Sequence, residues 1–348
     1  MTKAVFFILI IGIGYFVSSK WFYSLIVMAS IAILSYMSPN IADFAAYQGV
    51  YNFIGANGNE YFNTGYGWWI LCKLGNQLHL NYITFKTILL IVGFVLILYF
   101  LKIMKVDNNV ILASYLVYPA ITDIIQIRFF LATSIVLFLI TFLIKENVKS
   151  YLIYIFGIIL IAAQIHPSAY FYLLLVLWKL LFKFKIPSTI FTFILLLIVI
   201  IEKRFLMPII SYFGTDQESN YYLSGEFYAS NKLMILFFLT TVVFFILSFY
   251  MYKNINKDEL VTTQINYLKL VIFSNYISIF LVILSTFAFT FLRMQKPIWL
   301  LNYATCALYA KYGTKGKLSS GVIWIIYIFI AIIWLFGTEK IALNDFFK

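Results

Sequence analysis

The sequence predicts an all-α fold: a polytopic integral membrane helical bundle of about 12 transmembrane helices (roughly 11–13), with two longer outward-facing loops. Three observations predict it. The 348 residues are 64% hydrophobic, with a mean hydropathy of +0.96. Only 11% are charged, against about 25% in ordinary soluble domains, so material for a solvated surface is missing. Apolar runs of about helix-spanning length alternate with lysine clusters along the whole chain. This composition excludes a soluble enzyme, a nucleic-acid-binding domain and a disordered scaffold.

The formal net charge of +12 is a topology signal rather than a nucleic-acid signal, because Lys and Arg gather in cytoplasmic loops of membrane proteins. Of the 25 basic residues, three are arginine, at 128, 204 and 293. The two cysteines, Cys72 and Cys306, give neither a metal spacing nor a disulfide framework. The N-terminal apolar run after Lys3 is followed by no small-residue cleavage site, so it reads as a first span.

Taken in order, the spans are expected near 4–18, 21–37, 82–101, 110–125, 128–144, 151–165, 168–182, 186–201, 232–252, 265–290, 297–311 and 320–337. Segment 65–80 carries Lys73, Asn76, Gln77 and His79, which suits an interfacial or re-entrant helix. Lysines occupy alternate connections: Lys102 and Lys105; Lys145 and Lys149; Lys183 and Lys185; Lys253 and Lys257; Lys311, Lys315 and Lys317. Those connections are assigned to the cytoplasm. The turns at Asp123–Arg128, His166 and Arg293, with the long loops 38–81 and 202–231, then face outward. Lys3 falls outside in this scheme, and a thirteenth span at 65–80 would bring it inside. No repeat, low-complexity tract or linker divides the chain, so residues 1–348 read as a single membrane domain.

The candidate chemistry lies on the outer side. Arg128, Arg204 and Arg293 each sit at the edge of an apolar span. A guanidinium presents a planar fork matched to phosphate, and snorkelling at the interface is the alternative reading. His166, in AQIHPSAY, ends one span and begins the next, where it could be a base, an acid, a phosphate ligand or a structural turn residue. Asp43, Tyr47 and Tyr51 recur at helical spacing on one face. They read either as a base or sugar-hydroxyl ligand with aromatic platforms, or as a helix-terminal charge over an aromatic belt. Tyr221, Tyr222 and Tyr228 invite the same two readings, with the aromatic belt favoured, and His79 reads as an interfacial residue. Phosphate-binding, nucleophile-elbow and zinc-protease motifs are absent from the sequence, so no cofactor and no metal is expected.

These residues form an ordered set that resembles the EpsG/Wzy type of bacterial polysaccharide polymerases. The resemblance rests on Asp43 and Tyr47 in ADFAAY, on Ile127, Arg128, Leu131 and Ala132 in QIRFFLATSI, and on His166, Ser168 and Ala169 in IHPSAY. Arg293 and Met294, with Tyr303 further on, complete it. Two departures stand out: Gly65–Tyr66 is preceded by Asn63 and Thr64 where the family often has Glu, leaving Glu60 as the nearest acid, and Pro167 is inserted after His166.

The resemblance implies an O-antigen or exopolysaccharide polymerase in the bacterial cytoplasmic membrane. It would transfer a growing glycan from undecaprenyl pyrophosphate to a lipid-linked repeat unit at the outer face. His166, Asp43, Arg128 and Arg293 would then be catalytic. Arg128, Arg204 and Arg293 would hold pyrophosphate, and Tyr47, Tyr51 and Glu60 would bind sugar. The implied partners are the undecaprenyl-pyrophosphate-linked oligosaccharide, the lipid bilayer and a chain-length-regulating co-polymerase. Three alternatives remain open from the residues: a polysaccharide O-acyltransferase, a polyprenyl-phosphate-dependent transferase of single sugars, and a lipid-linked oligosaccharide flippase.

Overall fold

The computed structural model describes residues 2–17, 20–37, 43–57, 65–179, 230–285, 289–314, 317–338 and 340–347. The described residues are almost entirely helical and form one continuous packed core. The helices are α1 (Thr2–Phe16), α2 (Lys20–Met37), α3 (Phe44–Asn57), α4 (Tyr66–Gln77), α5 (Tyr82–Met104), α6 (Asn108–Val117) and α7 (Ala120–Ile125). They continue with α8 (Ile127–Leu143), α9 (Val148–Ile165), α10 (Asn231–Asn254), α11 (Thr262–Leu284), α12 (Lys296–Tyr312), α13 (Ser320–Thr338) and α14 (Lys340–Phe347). Three 3₁₀ segments, Pro167–Leu177, Lys257–Glu259 and Phe289–Gln295, complete the described path.

Among the described residues, α5, α9, α10, α11 and α13 are long and apolar enough to cross a membrane. Five shorter apolar helices of 10–17 residues accompany them. The chain is therefore a polytopic helical membrane protein. Where strongly apolar helices meet lipid they expose large side chains, as Ile325 and Phe329 do on α13 and Ile235 and Leu239 on α10.

Several expected elements take a different form. The run 110–125 is not one span: it breaks at Tyr118–Pro119 into α6 and α7, because proline lacks an N–H and restricts the residue before it. The described residues of segment 38–81, expected as a long outward connection, form α3 and α4, the second being the short helix expected at 65–80. At 12 residues, α4 reaches only about 18 Å at the helical rise, too short to cross. The run 265–290 stops as α-helix at Leu284. Expected span 186–201 and nearly all of loop 202–231 lie outside the described residues, as do Tyr221, Tyr222 and Tyr228.

Helix α12 differs from its neighbours in being buried on every side, from Lys296 through Thr305 to Tyr309. It packs against α6, α10, α11 and α13. Its polar side chains need partners inside the protein, since lipid offers none. Asn302 and Asn275 (α11) exchange amide hydrogen bonds of 2.8 and 2.9 Å, and Asn275 also donates to Ser248 Oγ and the Phe244 carbonyl.

The connections sort into two ends. Gln264 donates to the Met104 carbonyl and Asn266 to the Ile144 carbonyl, while the backbone N–H groups of Asn256 and Thr314 donate to the Tyr312 and Asn254 carbonyls. These bonds gather the connections beside Lys105, Lys145, Lys253, Lys257 and Lys311 at one end. The starts of α4 and α8, the end of α9 and the segment around Arg293 meet at the other.

The reciprocal amide pair predicts strong coupling. In detergent-solubilised protein, an Asn275→Leu/Asn302→Leu double-mutant cycle should give a coupling of about 1 kcal/mol, the scale of buried interhelical hydrogen bonds in membrane proteins. Equilibrium unfolding of the four proteins measures it.

Candidate functional site

Arg128 is the second residue of α8, where the helix dipole already concentrates positive potential. Its guanidinium donates from Nε (3.4 Å) and Nη2 (3.2 Å) to the carbonyl of Ile165, the last residue of α9. A helix end leaves carbonyls without intrahelical partners, and Arg128 takes one of them. The guanidinium also lies over the Trp68 ring of α4, 5.6 Å from its centroid. One side chain thus ties together α4, α8 and α9.

The turn it holds contains His166. The chain enters the turn through a π-helical stretch, Ile158–Ala162, and leaves it in the 3₁₀ segment that starts at Pro167. Regular α-helix is therefore interrupted on both sides of His166, a deviation that often marks functional positions. Its Nδ1 accepts the Ser168 backbone N–H (3.3 Å) and lies 2.7 Å from Ser168 Oγ, so the imidazole caps the helix that follows. This network assigns the neutral ring's proton to Nε2. Phe129 meets the ring edge-on at 5.5 Å.

Burial, followed by the charges of Arg128 and Arg293, pulls the His166 imidazole down to about 3. Both arginines therefore stand close enough to act on the histidine. The same pair acts on Tyr47 from α3: burial raises its phenol, Arg128 opposes, Asp43 adds to the rise, and Arg293 opposes. Tyr47 is half-buried, with its ring 6.3 Å from Trp68, and Asp43 is exposed just before α3. Asp43 has a positive φ of 65°, which Asp tolerates better than most residues, and its carbonyl accepts the Tyr47 N–H at 3.0 Å.

Arg293 comes from the 3₁₀ segment before α12. That segment is pinned by Tyr172, whose hydroxyl donates to the Met294 carbonyl at 2.6 Å, and the Tyr172 carbonyl in turn accepts the Tyr154 hydroxyl at 2.6 Å. The N-terminus of α8 thus lies beside Arg128, and Arg293 stands in the 3₁₀ turn that runs into α12. Such an arrangement favours anions, phosphate above all.

The structure brings together Asp43, Tyr47, Arg128, His166 and Arg293. Tyr51 stands apart from them: it is buried among Tyr82 and Phe85, and its hydroxyl donates to the Leu80 carbonyl at 2.7 Å. Glu60 and Arg204 lie outside the described residues. His79 is exposed in the turn at the far end of α4.

Sequence reasoning passed over Trp68, a single aromatic within a Trp pair, although it is fully buried under Arg128. Its indole N–H has no hydrogen-bond partner among the described residues. Gly65 and Gly67 were also missed as packing residues. A Cβ at Gly65 would sit 2.6 Å from the Gln164 carbonyl oxygen, and at Gly67 3.0 Å from Gln164 Cβ, so bare backbone lets α4 lie against the approach to His166. Lys296 carried a legible signal: it is a lysine beside Arg293, out of step with the lysine clusters at the opposite end. No group of three His, Cys, Asp or Glu side chains gathers among the described residues.

The model of the EpsG family matches residues 4–345 of this chain. No curated protein and no solved structure matches it.

Two predictions follow from this geometry. Gly65 has φ +97°, so Gly65→Ala adds backbone strain to a clash with main chain. It should destabilise the protein by about 1–3 kcal/mol and displace the His166 turn, read by thermal unfolding and by hydrogen exchange of residues 163–168. The second concerns pH. Because the folded imidazole sits below its ordinary value of about 6.5, His166 contributes stability above that pH and loses it progressively as pH falls towards 3. In ligand-free protein, its ¹⁵N imidazole signals should therefore stay those of the Nε2–H neutral tautomer from pH 8 to pH 5. A midpoint near 6.5 would refute this.

Proposed function

The chain belongs to the EpsG family, and from that premise we propose that it is a polysaccharide polymerase acting on lipid-linked glycans. The donor would be a glycan on undecaprenyl pyrophosphate and the acceptor a lipid-linked repeat unit. In this reading the protein is a single domain of about 12 spans in a bacterial cytoplasmic membrane, with the site on the outer face. A chain-length-regulating co-polymerase is a further partner in the same proposal. The observation that carries the reading is the convergence of Asp43, Tyr47, Arg128, His166 and Arg293, from four separate segments, on one cationic site between helix ends.

The chemistry needs little else. The bond between the donor sugar's anomeric carbon and the pyrophosphate oxygen breaks, and negative charge grows on the leaving group. Arg128 and Arg293 stabilise that charge, helped by the N-terminus of α8. The acceptor hydroxyl forms the new bond to the anomeric carbon and gives up its proton. His166 is poorly suited to take it, because its free lone pair, on Nδ1, already accepts from Ser168. The imidazole serves better as an Nε2–H donor to a phosphate or sugar oxygen. Asp43, exposed just before α3, is then the general base, and Tyr47 a platform for sugar. Arg204, Glu60 and Tyr51 are carried in this proposal as a third phosphate ligand and two sugar ligands. Tyr51 is buried, at 2% exposure.

Deleting the gene in its host should collapse the surface-polysaccharide ladder on a gel to a single lipid-linked repeat unit. Arg128→Lys and Arg293→Lys should each lower polymerisation by about 10²–10³-fold at unchanged protein level, because lysine keeps the charge and loses the fork. Full polymer length in both variants would rule out the arginine roles. Loss of all repeat units on deletion would instead favour a single-sugar transferase or a flippase, and altered acetylation of an intact ladder an acyltransferase.

A further inference from the structure

Behind the two arginines lies a buried polar cluster that the proposed chemistry does not use. Asp123 (α7) and Lys296 (first residue of α12) are 5% and 4% exposed. Lys296 Nζ stands 3.7 Å from Asp123 Oδ1 and donates to Gln126 Oε1 at 3.0 Å. Tyr115 (α6) donates its hydroxyl to Asp123 Oδ2 at 2.9 Å. Oδ1 itself takes no hydrogen bond among the described residues.

We infer that Asp123 and Lys296 are positioning residues, which fix the spacing of the two arginines and so the geometry of the pyrophosphate site. The inference rests on the function proposed above. Gln126 immediately precedes α8 and stands two residues before Arg128; Lys296 stands three residues after Arg293. The Lys296–Gln126 bond therefore ties the segment carrying one arginine to the segment carrying the other. Asp123 anchors the lysine from a third helix, and Tyr115 anchors Asp123 from a fourth. Lys296 Nζ also lies 5.6 Å from the centroid of Phe129, the ring that meets His166.

The pair does not itself touch substrate. The cavity beside it measures about 10 Å³, room for roughly one water and far too little for a phosphate or a sugar. A buried ion pair is often replaceable by apolar groups without loss of stability, so fold stability alone is a weak reason for placing one here. Tying two cationic segments at a set distance is a task that apolar packing performs less sharply, since it has no directional bonds.

The test uses full-length protein in phosphatidylglycerol/phosphatidylethanolamine nanodiscs. Binding of a polyprenyl pyrophosphate is titrated calorimetrically, and hydrogen exchange is followed in peptides covering 126–131 and 292–298. Gln126→Leu keeps the ion pair and cuts only its link to α8. It should weaken binding at least fivefold and speed exchange in the first peptide. Asp123→Asn/Lys296→Met removes both charges, so no lone charge is left buried. It should weaken binding at least tenfold, with an unfolding midpoint close to the parent's. Wild-type binding by either variant, or unchanged exchange in both peptides, overturns the inference. Failure of the function reading looks different: the unmodified protein would not bind polyprenyl pyrophosphate, or Arg128→Ala would bind it equally well.

Discussion

The bond from Arg128 to the end of α9 is the constraint on which the site depends. A helix that stops inside a membrane protein must find partners for its last carbonyls, and here a guanidinium supplies one. That choice fixes α8 against α9, sets the cation over Trp68 and leaves the following residue, His166, free of helical geometry. His166 can then cap the next segment through Nδ1. Remove the arginine and an orphan carbonyl, an unstacked indole and an unsupported turn would remain. A group suited to an anionic ligand is thus also a structural tie, held by contacts within the protein.

The electrostatics follow from the same crowding. Two arginines and the N-terminus of α8 produce a positive field at one end of the bundle. Charge of one sign in a poorly hydrated place is unstable without compensation. Asp43 at the rim and Asp123 in the interior supply part of it, and the neutral state of His166 avoids adding to the load. The remaining excess is suited to a phosphorylated ligand, whose binding would relieve the repulsion.

Much of this was legible in sequence because lipid restricts the options. Apolar run length placed α1, α2, α5, α8, α9, α10 and α13 to within a few residues. Arg128, His166 and Arg293 stood out because arginine is rare in this chain and each lies at a span edge. Other features depended on tertiary contact. The break at Pro119 was visible as a residue, but hydropathy across 110–125 concealed it. Tyr51 shares a helical face with Asp43 and Tyr47 by spacing, yet one turn further on that face is covered by Tyr82 and Phe85. Asp123 and Lys296 lie 173 positions apart, and no local pattern pairs a lone acid with a distant lysine.

The burial of α12 has a consequence for how the protein enters the bilayer. Lys296, Asn302 and Thr305 would all be poorly tolerated facing hydrocarbon, where a charged residue at mid-depth costs about 2.5–3.5 kcal/mol on insertion scales. Alone, this segment is a weak substrate for the insertion machinery. Its amide partner Asn275 is on α11, made just before it, while α13, whose Tyr327 hydroxyl lies 3.4 Å from Asn302 Oδ1, is made just after. Biogenesis should therefore deliver α11, α12 and α13 as a hairpin-like group. The helix that leads away from Arg293 would then reach its place only as its neighbours close around it.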